Sequence, residues 1–352
     1  MPSPAPSVEK KTPMTLTRRG LLPAAGLTGL ALGVSPAFRG GLAEAAAEVA
    51  NFVGGPPVKD HPLVQIAPHV SVIVAPEGFP TPENQGMMAN ITFVVGAKGV
   101  VVVDTGSSVR IAEMAIRQLR KLTDKPVVGI VVTHYHGDHW LGNHGFVEAF
   151  GADLPIWSLA GTRVEIAGAT GSFWQDSMVK WTNGATLGTR IVPPNRDVEA
   201  GFEIALGDVT LRMHHHGRAH TPHDLCVEVV EDRVLCVGDV LMDRRIANMD
   251  EGSFKGTIDT IDRLVAAVNP GVWLPGHGRP GPGVAAWQRD LFSGIWETCL
   301  AAVDDGVALE GALARVLADP RVASRAAETT GWDRNIGKYV SLAYLEAEQA
   351  RF

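Results

Sequence analysis

The sequence predicts an α+β protein: two β-sheets packed face to face, helices on their outer surfaces, and a helical C-terminal region. Three observations carry this. Strand-like apolar patterns occur in two separate halves of the chain, each half also holds a helix-period segment, and the residues from 281 onward are mostly helical by pattern.

In the first half, Val70, Val72 and Val74 recur at every second position with His69, Ser71 and Ile73 around them. Strands Ile91–Val95 and Val100–Val103 follow, separated by Gly96 and Gly99. A helix starting near Ser107 places Ile111, Met114, Ala115 and Leu119 on one face. Val127–Val132 is almost continuously apolar, the pattern of a strand covered on both faces. The second half repeats this grammar with strands at Val209–Met213, Leu225–Val230 and Val234–Val237, a helix at Thr257–Val268 and a strand at Val272–Leu274. Between the halves, residues 158–200 hold Phe173, Trp174 and Trp181 among many Gly, Thr and Asn. They read as an insertion near the mouth of a site, or as simple packing beneath a long loop.

Residues 1–45 read as an export leader. The pair Arg18-Arg19 precedes an apolar run rich in Ala and Gly, and Ala43-Glu44-Ala45 suits a signal peptidase; this resembles a twin-arginine (Tat) signal. Pro23, Gly26, Gly29 and Gly33 interrupt the run, which argues against the alternative of a permanent anchor. The expectation is a periplasmic or secreted protein with no membrane attachment after cleavage. Residues 46–64 form an irregular lead-in, 65–280 the main domain and 281–352 a helical extension packed on it.

The chain of 352 residues carries a net charge of −7, and loss of the leader, which holds more basic than acidic residues, makes it more negative. Nucleic acid is therefore excluded as a partner class, and a small molecule is favoured. Oligomeric state is open. Only three cysteines occur, too few for a disulfide framework. A two-residue turn at Glu231-Asp232 pairs Val230 with Arg233 and sets Cys236 opposite Val227 rather than Cys226, so buried free thiols are expected.

The chemistry lies in Thr133-His134-Tyr135-His136-Gly137-Asp138-His139, directly after the buried strand. The i, i+2 spacing aims His134 and His136 at one cation, and Gly137 permits a turn that sends Asp138 and His139 toward a second. Neutral imidazoles and carboxylates are ligands that zinc accepts. By contrast, His214, His215 and His216 lie on a strand whose alternation turns His215 from its neighbours, and they read as solvated or core-satisfied.

The H-x-H-x-D-H segment resembles the signature of the metallo-β-lactamase superfamily, whose fold is a four-layered αβ/βα sandwich. Further segments match in order: Val101–Gly106 ending in D-T-G, Gly217–Pro222 (G-x-x-H-T), Val237-Gly238-Asp239, and Leu274–Gly278 (P-G-H-G). The resemblance implies that His134, His136 and His220 hold one zinc ion. Asp138, His139 and His277 hold a second, and Asp239 bridges the two. It implies hydrolysis by a water shared between the ions and ionised by them, with Asp239 and Asp138 as catalytic groups. Asp104 is expected to orient a ligand histidine from behind; the alternative is a carboxylate at the start of the following helix. His223, Trp174 and Trp181 are expected at the substrate rim.

An aspartate at 239 is more similar to the glyoxalase II, lactonase and general hydrolase branches than to the antibiotic-hydrolysing ones, which carry Cys or Ser there. Residues 133–143 and 217–225 also resemble exported hydrolases associated with quinoprotein systems. An ester, thioester, lactone or lactam is the expected substrate. The rivals are a β-lactamase proper, a persulfide dioxygenase with a single iron, and a non-catalytic binding module; the last is disfavoured because all the ligand positions are filled.

Overall fold

A computed structural model describes residues 54–351. The leader expected over 1–45 and the first part of the lead-in lie outside the described residues. One sheet has seven strands in the order β1 (Leu63–Gln65), β2 (Val70–Ile73), β3 (Ile91–Gly96), β4 (Gly99–Val103), β5 (Val127–Val131), β6 (Ile156–Ser158) and β7 (Arg196–Asp197). The other has five, ordered β12 (Val272–His277), β11 (Val234–Met242), β10 (Cys226–Val229), β9 (Thr210–His214) and β8 (Glu203–Ala205). β1 to β4 pair antiparallel and β4 to β7 parallel; in the second sheet only β11 and β12 are parallel.

The period of two in each strand sorts side chains into layers. Val101, Val103 and Val131 meet Met213, Val227, Val229 and Cys236 in the core between the sheets. Val100, Val102 and Ile130 point the other way, against Ile111, Ala112 and Met114 of helix Val109–Leu122 and Phe146 of helix Asn143–Phe150. On the far side, Leu235 and Val237 meet Ile261 and Leu264 of helix Phe254–Ala267 and Val284 and Ala285 of helix Val284–Asp304. Helix, sheet, sheet and helix therefore form four layers, as the resemblance implied. The C-terminal helices Leu309–Ala318 and Trp332–Gln349 close a further core around Phe254, Phe292, Ile295 and Tyr339.

The hairpin β10–β11 has the expected register, with Val227 opposite Cys236. Cys226 and Cys236 project to opposite faces of the sheet, into different cores, and both thiols are free. Burial pushes the Cys236 thiol up to about 12. The expected loop-like insertion at 158–200 is different in the structure: helices Ala160–Ala167 and Ala169–Trp181 occupy much of it. Its Gly and Thr content masked a helix that packs Met178 and Trp174 on the first sheet's helical layer. Of the lead-in, Val58 is buried in that same core and Leu63–Gln65 joins the sheet as its edge. Among the described residues no helix is long and apolar enough to cross a membrane.

Candidate metal centre

Parallel neighbours β4 and β5 end side by side, which brings Asp104 and Thr133-His134 to one edge of the first sheet. In the second sheet, β11 carries Asp239 within a register irregularity between Cys236 and Met242, and its parallel partner β12 ends at His277. His220 lies in the connection between β9 and β10. The close approach of these strands demands a glycine at 276, where a Cβ would stand 2.0 Å from Asp239 Oδ1. Gly137 serves another purpose than the turn expected of it. It opens the short helix Gly137–Trp140 without a positive φ, and a Cβ there would lie 2.8 Å from that of Trp174.

The seven expected ligands converge in two buried sets: His134, His136, His220 and Asp239, and Asp138, His139 and His277. Asp239 faces both. Its Oδ2 is 3.5 Å from His220 Nε2, 4.0 Å from His134 Nε2 and 3.2 Å from His277 Nε2, while its Oδ1 is 3.3 Å from His139 Nε2. Asp138 Oδ2 is 3.2 Å from His277 Nε2 and 3.5 Å from His139 Nε2.

Groups behind the ligands fix which ring nitrogen faces inward. Asp104 Oδ2 accepts from His139 Nδ1 at 2.8 Å and from the Thr133 hydroxyl at 2.8 Å. With its proton so committed, Thr133 Oγ1 accepts from His134 Nδ1 at 3.1 Å. His277 Nδ1 donates to Met88 O at 2.6 Å, and His136 Nε2 donates to Glu251 Oε2 at 3.2 Å. Each leaves a lone pair pointing at the cluster. Asp104 thus orients a ligand from behind as expected, while the helix cap is Ser108, whose side chain accepts from Ile111 N.

These residues fit a pair of cations. His134 Nε2, His139 Nε2 and Asp239 Oδ1 are buried with no hydrogen-bond partner among the described residues, an arrangement that metal bonds would satisfy. His136 Nδ1 and His220 Nε2 stand 3.0 Å apart, both turned inward, so that one cation could take a lone pair from each. Burial and the neighbouring histidines hold His134 well below the usual range, and burial takes His220 to about 3, so both are neutral and ready to ligate. Burial opposes charge on His139, yet Asp138, Asp239 and Asp104 raise it well above its ordinary value. In the absence of cations the carboxylates thus draw protons onto the ring, and metal binding releases them.

Sequence reasoning missed three supporting residues. Glu251, whose hydrogen bond with His136 lowers its pKa, comes from a loop with no motif of its own. Asp224 accepts from Thr221 N and Thr221 Oγ1, both at 2.8 Å, and so shapes the loop after His220; burial raises it to about 7. Asn90 donates to Pro275 O at 2.8 Å and Gly278 O at 2.9 Å, clamping the turn that carries His277. Glu251 and Asn90 act across long sequence separations, so no local pattern marks them; Asp224 acts locally, three residues from Thr221, within the segment that carries His220.

Over the ligands opens a cavity of about 1550 Å³. Trp174 and Trp181 line it as expected, joined by Phe79, Phe173 and Trp332. Trp174 lies against His136 with ring centres 4.8 Å apart, and Phe79 meets Trp181 edge-on at 4.8 Å. His223, expected at this rim, instead lines a separate pocket with Leu159, Asp197 and Phe202, its ring against Gly161. His214 pairs with Glu228 and His215 with Asp224 O, neither in a ligand set. The far wall comes from the C-terminal region: the backbone of Thr330 bridges to that of Arg245, which brings Thr329 to Asn335 to the opening.

The family model for the metallo-beta-lactamase superfamily matches residues 85–314. A linear primary-alkylsulfatase from Pseudomonas sp. (strain ATCC 19151) is 23% identical over 266 residues, 64% of this chain and 49% of the relative. A hydroxyacylglutathione hydrolase from Shewanella halifaxensis is 25% identical over 170 residues, 48% of this chain and 52% of the relative. The chain thus spans about half the length of these curated relatives. Among solved structures, the stereoselective inverting sec-alkylsulfatase from Pseudomonas sp. has a TM-score of 0.63 at 19% identity, covering 81% of this chain and 50% of that one. A metallo-beta-lactamase from Pontibacter korlensis has a TM-score of 0.52 at 20% identity, covering 66% and 98%. These likenesses show the fold, and the family match adds the motifs that the geometry has just assembled: the chain belongs to the metallo-beta-lactamase superfamily.

Proposed function

We propose that the protein is a dinuclear zinc hydrolase that cleaves an ester, thioester, lactone or lactam. The observation that carries this is the pair of buried ligand sets meeting at Asp239 on the floor of an aromatic cavity. Two zinc ions held there would lower the pKa of a shared water toward neutrality and polarise the bond under attack. Asp239, with Oδ1 free of hydrogen bonds and facing both sets, orients the attacking water and accepts its proton. Asp239 then passes that proton to the leaving group, while Asp138, whose ionised form His139 and His277 favour against the cost of burial, would keep its charge and hold the second cation in place. Trp174, Trp181 and Phe79 exclude water and hold the apolar part of the substrate.

A second reading, cleavage of a sulfate ester, is supported by the alkylsulfatase relative and by the basic side chains Arg245, Arg334 and Lys338 in the cavity wall. The leader at 1–45 supports export by the Tat route to the periplasm or beyond.

Protein purified without added metal should contain two zinc ions per chain. It should show chelator-sensitive turnover in a screen over carboxylic esters, thioesters, lactones, β-lactams and alkyl sulfates. One iron per chain, with oxygen uptake on glutathione persulfide, would replace the hydrolytic reading by the dioxygenase one.

A further inference from the structure

Arg245 is only 6% exposed, yet its guanidinium has a single hydrogen bond among the described residues, from Nη1 to Gly78 O at 2.8 Å. It lines the cavity. No carboxylate of the described residues lies within 4.0 Å of it. The acids nearby are committed elsewhere: Asp243 to Arg244 at 2.7 Å, Asp250 to Lys338 at 2.5 Å and Glu251 to His136 at 3.2 Å. Glu77 feels the charge of Arg245 but stays beyond ion-pair distance.

A guanidinium offers five N–H donors in a planar fork, and those of Arg245 that lack a partner are not sealed in the core but open onto the cavity, placed to receive a ligand there. The fold holds this residue firmly. Arg245 follows β11, the strand of Asp239, and its backbone is bridged to Thr330, with Ile246 N donating to Thr330 O at 3.1 Å. Arg245 lines the same cavity as His277, Asp138 and Asp239 of the ligand sets. Beside it, Arg334 lies over the Phe79 ring at 5.8 Å, and Phe79 continues into the aromatic wall of Trp181 and Trp174. A fixed positive charge close to the ligand sets thus adjoins an apolar wall.

We propose that Arg245 holds an anionic oxyacid group of the substrate, and that the substrate is an amphiphile with one such group, carboxylate or sulfate, on an apolar chain lying along Phe79, Trp174 and Trp181. This deepens the hydrolytic reading and rests on it for the reaction. An oxyacid group pairs with the fork through two parallel hydrogen bonds, which a neutral ligand cannot supply. The same contact sets how far the apolar chain extends from the metal floor.

The test uses the metal-loaded full chain and three probes that are not hydrolysed: octane-1-sulfonate, octan-1-ol and methanesulfonate, titrated by calorimetry. Octane-1-sulfonate should bind at least about tenfold more tightly than either of the others, as expected for a charge-assisted contact added to apolar burial. Arg245→Met should remove that preference and leave octan-1-ol binding unchanged, and Arg245→Lys should restore part of it. Equal affinity of the wild type for the sulfonate and the alcohol overturns the proposal. So does an Arg245→Met variant that loses both ligands together, which would make Arg245 a mere anchor for the loop at Gly78. Chelator-sensitive turnover over the panel of carboxylic esters, thioesters, lactones, β-lactams and alkyl sulfates is measured alongside. Its absence with the sulfonate preference intact sinks the hydrolytic reading and not the anion site; turnover without the preference sinks the anion site alone.

Discussion

Asp104 Oδ2 accepts the Nδ1 proton of His139 at 2.8 Å, while Asp104 Oδ1 accepts from Thr133 N at 2.9 Å. The residue holds this position at a φ of 57°, a conformation that aspartate tolerates better than most side chains. Through Thr133 the same carboxylate also fixes His134, so one residue orients a ligand in each set. Asp104→Ala should lower zinc affinity and turnover by about tenfold to a hundredfold. Competition against a zinc-sensitive dye, with steady-state kinetics, measures both; unchanged affinity would remove Asp104 from the site.

His136 and Asp138 belong to different sets, so each substitution should empty mainly one of them. His136→Ala and Asp138→Ala are both expected to abolish turnover and to retain about one metal per chain, read by elemental analysis. Full activity in Asp138→Ala would rule out the two-metal mechanism.

Chelation should destabilise the fold as well as silence it. Asp138 and Asp239 are buried and repel one another, and cations bound by the folded chain alone would offset this repulsion. Zinc at a thousandfold excess over its dissociation constant adds about 4 kcal/mol to stability. Thermal melts with chelator should shift down and recover on adding zinc.

Asn90→Ala deletes two donors and the acceptor for Ala75 N, all buried. Leaving such groups unpaired should destabilise the protein by about 2–4 kcal/mol, seen as a lower denaturant midpoint. Because the freed turn carries His277, metal content should fall in the same variant.

Trp174→Ala should act on binding more than on chemistry. It removes an aromatic face that lies against His136 and lines the cavity, and it leaves every ligand in place. KM for an apolar ester should rise by about tenfold with kcat changed less, the loss of roughly one well-packed aromatic contact.

The particular residues show where legibility ended. The strand and helix patterns around Val100–Val103, Val127–Val132 and Thr257–Val268 were readable because burial on a pleat or a helix face repeats at a fixed period. Helix Ala169–Trp181 was not, since its apolar residues follow no clean period and Gly and Thr lower its propensity. Glu251 and Asn90 were invisible because their partners, His136 and Pro275, lie more than a hundred residues away in sequence. His223 was misplaced because its spacing from His220 says nothing about which pocket its ring lines.

The sequence by itself determined four of the seven candidate ligands, because side chains crowded into His134–His139 are held close by covalent geometry, and it determined the layered fold through hydrophobic periodicity; His220, Asp239 and His277 were expected from the resemblance and join them only through the fold. Tertiary structure alone decided how those strands line up. In β4 every residue is buried, so a one-residue slip would exchange one apolar valine face for another at little hydrophobic penalty, and hydrogen bonds that Thr133 and His139 donate to Asp104 fix the register. It also decided the cavity, since Arg245, Trp174 and Trp332 are remote in the chain and come to line one space only where the C-terminal segment bridges to the residues that follow β11.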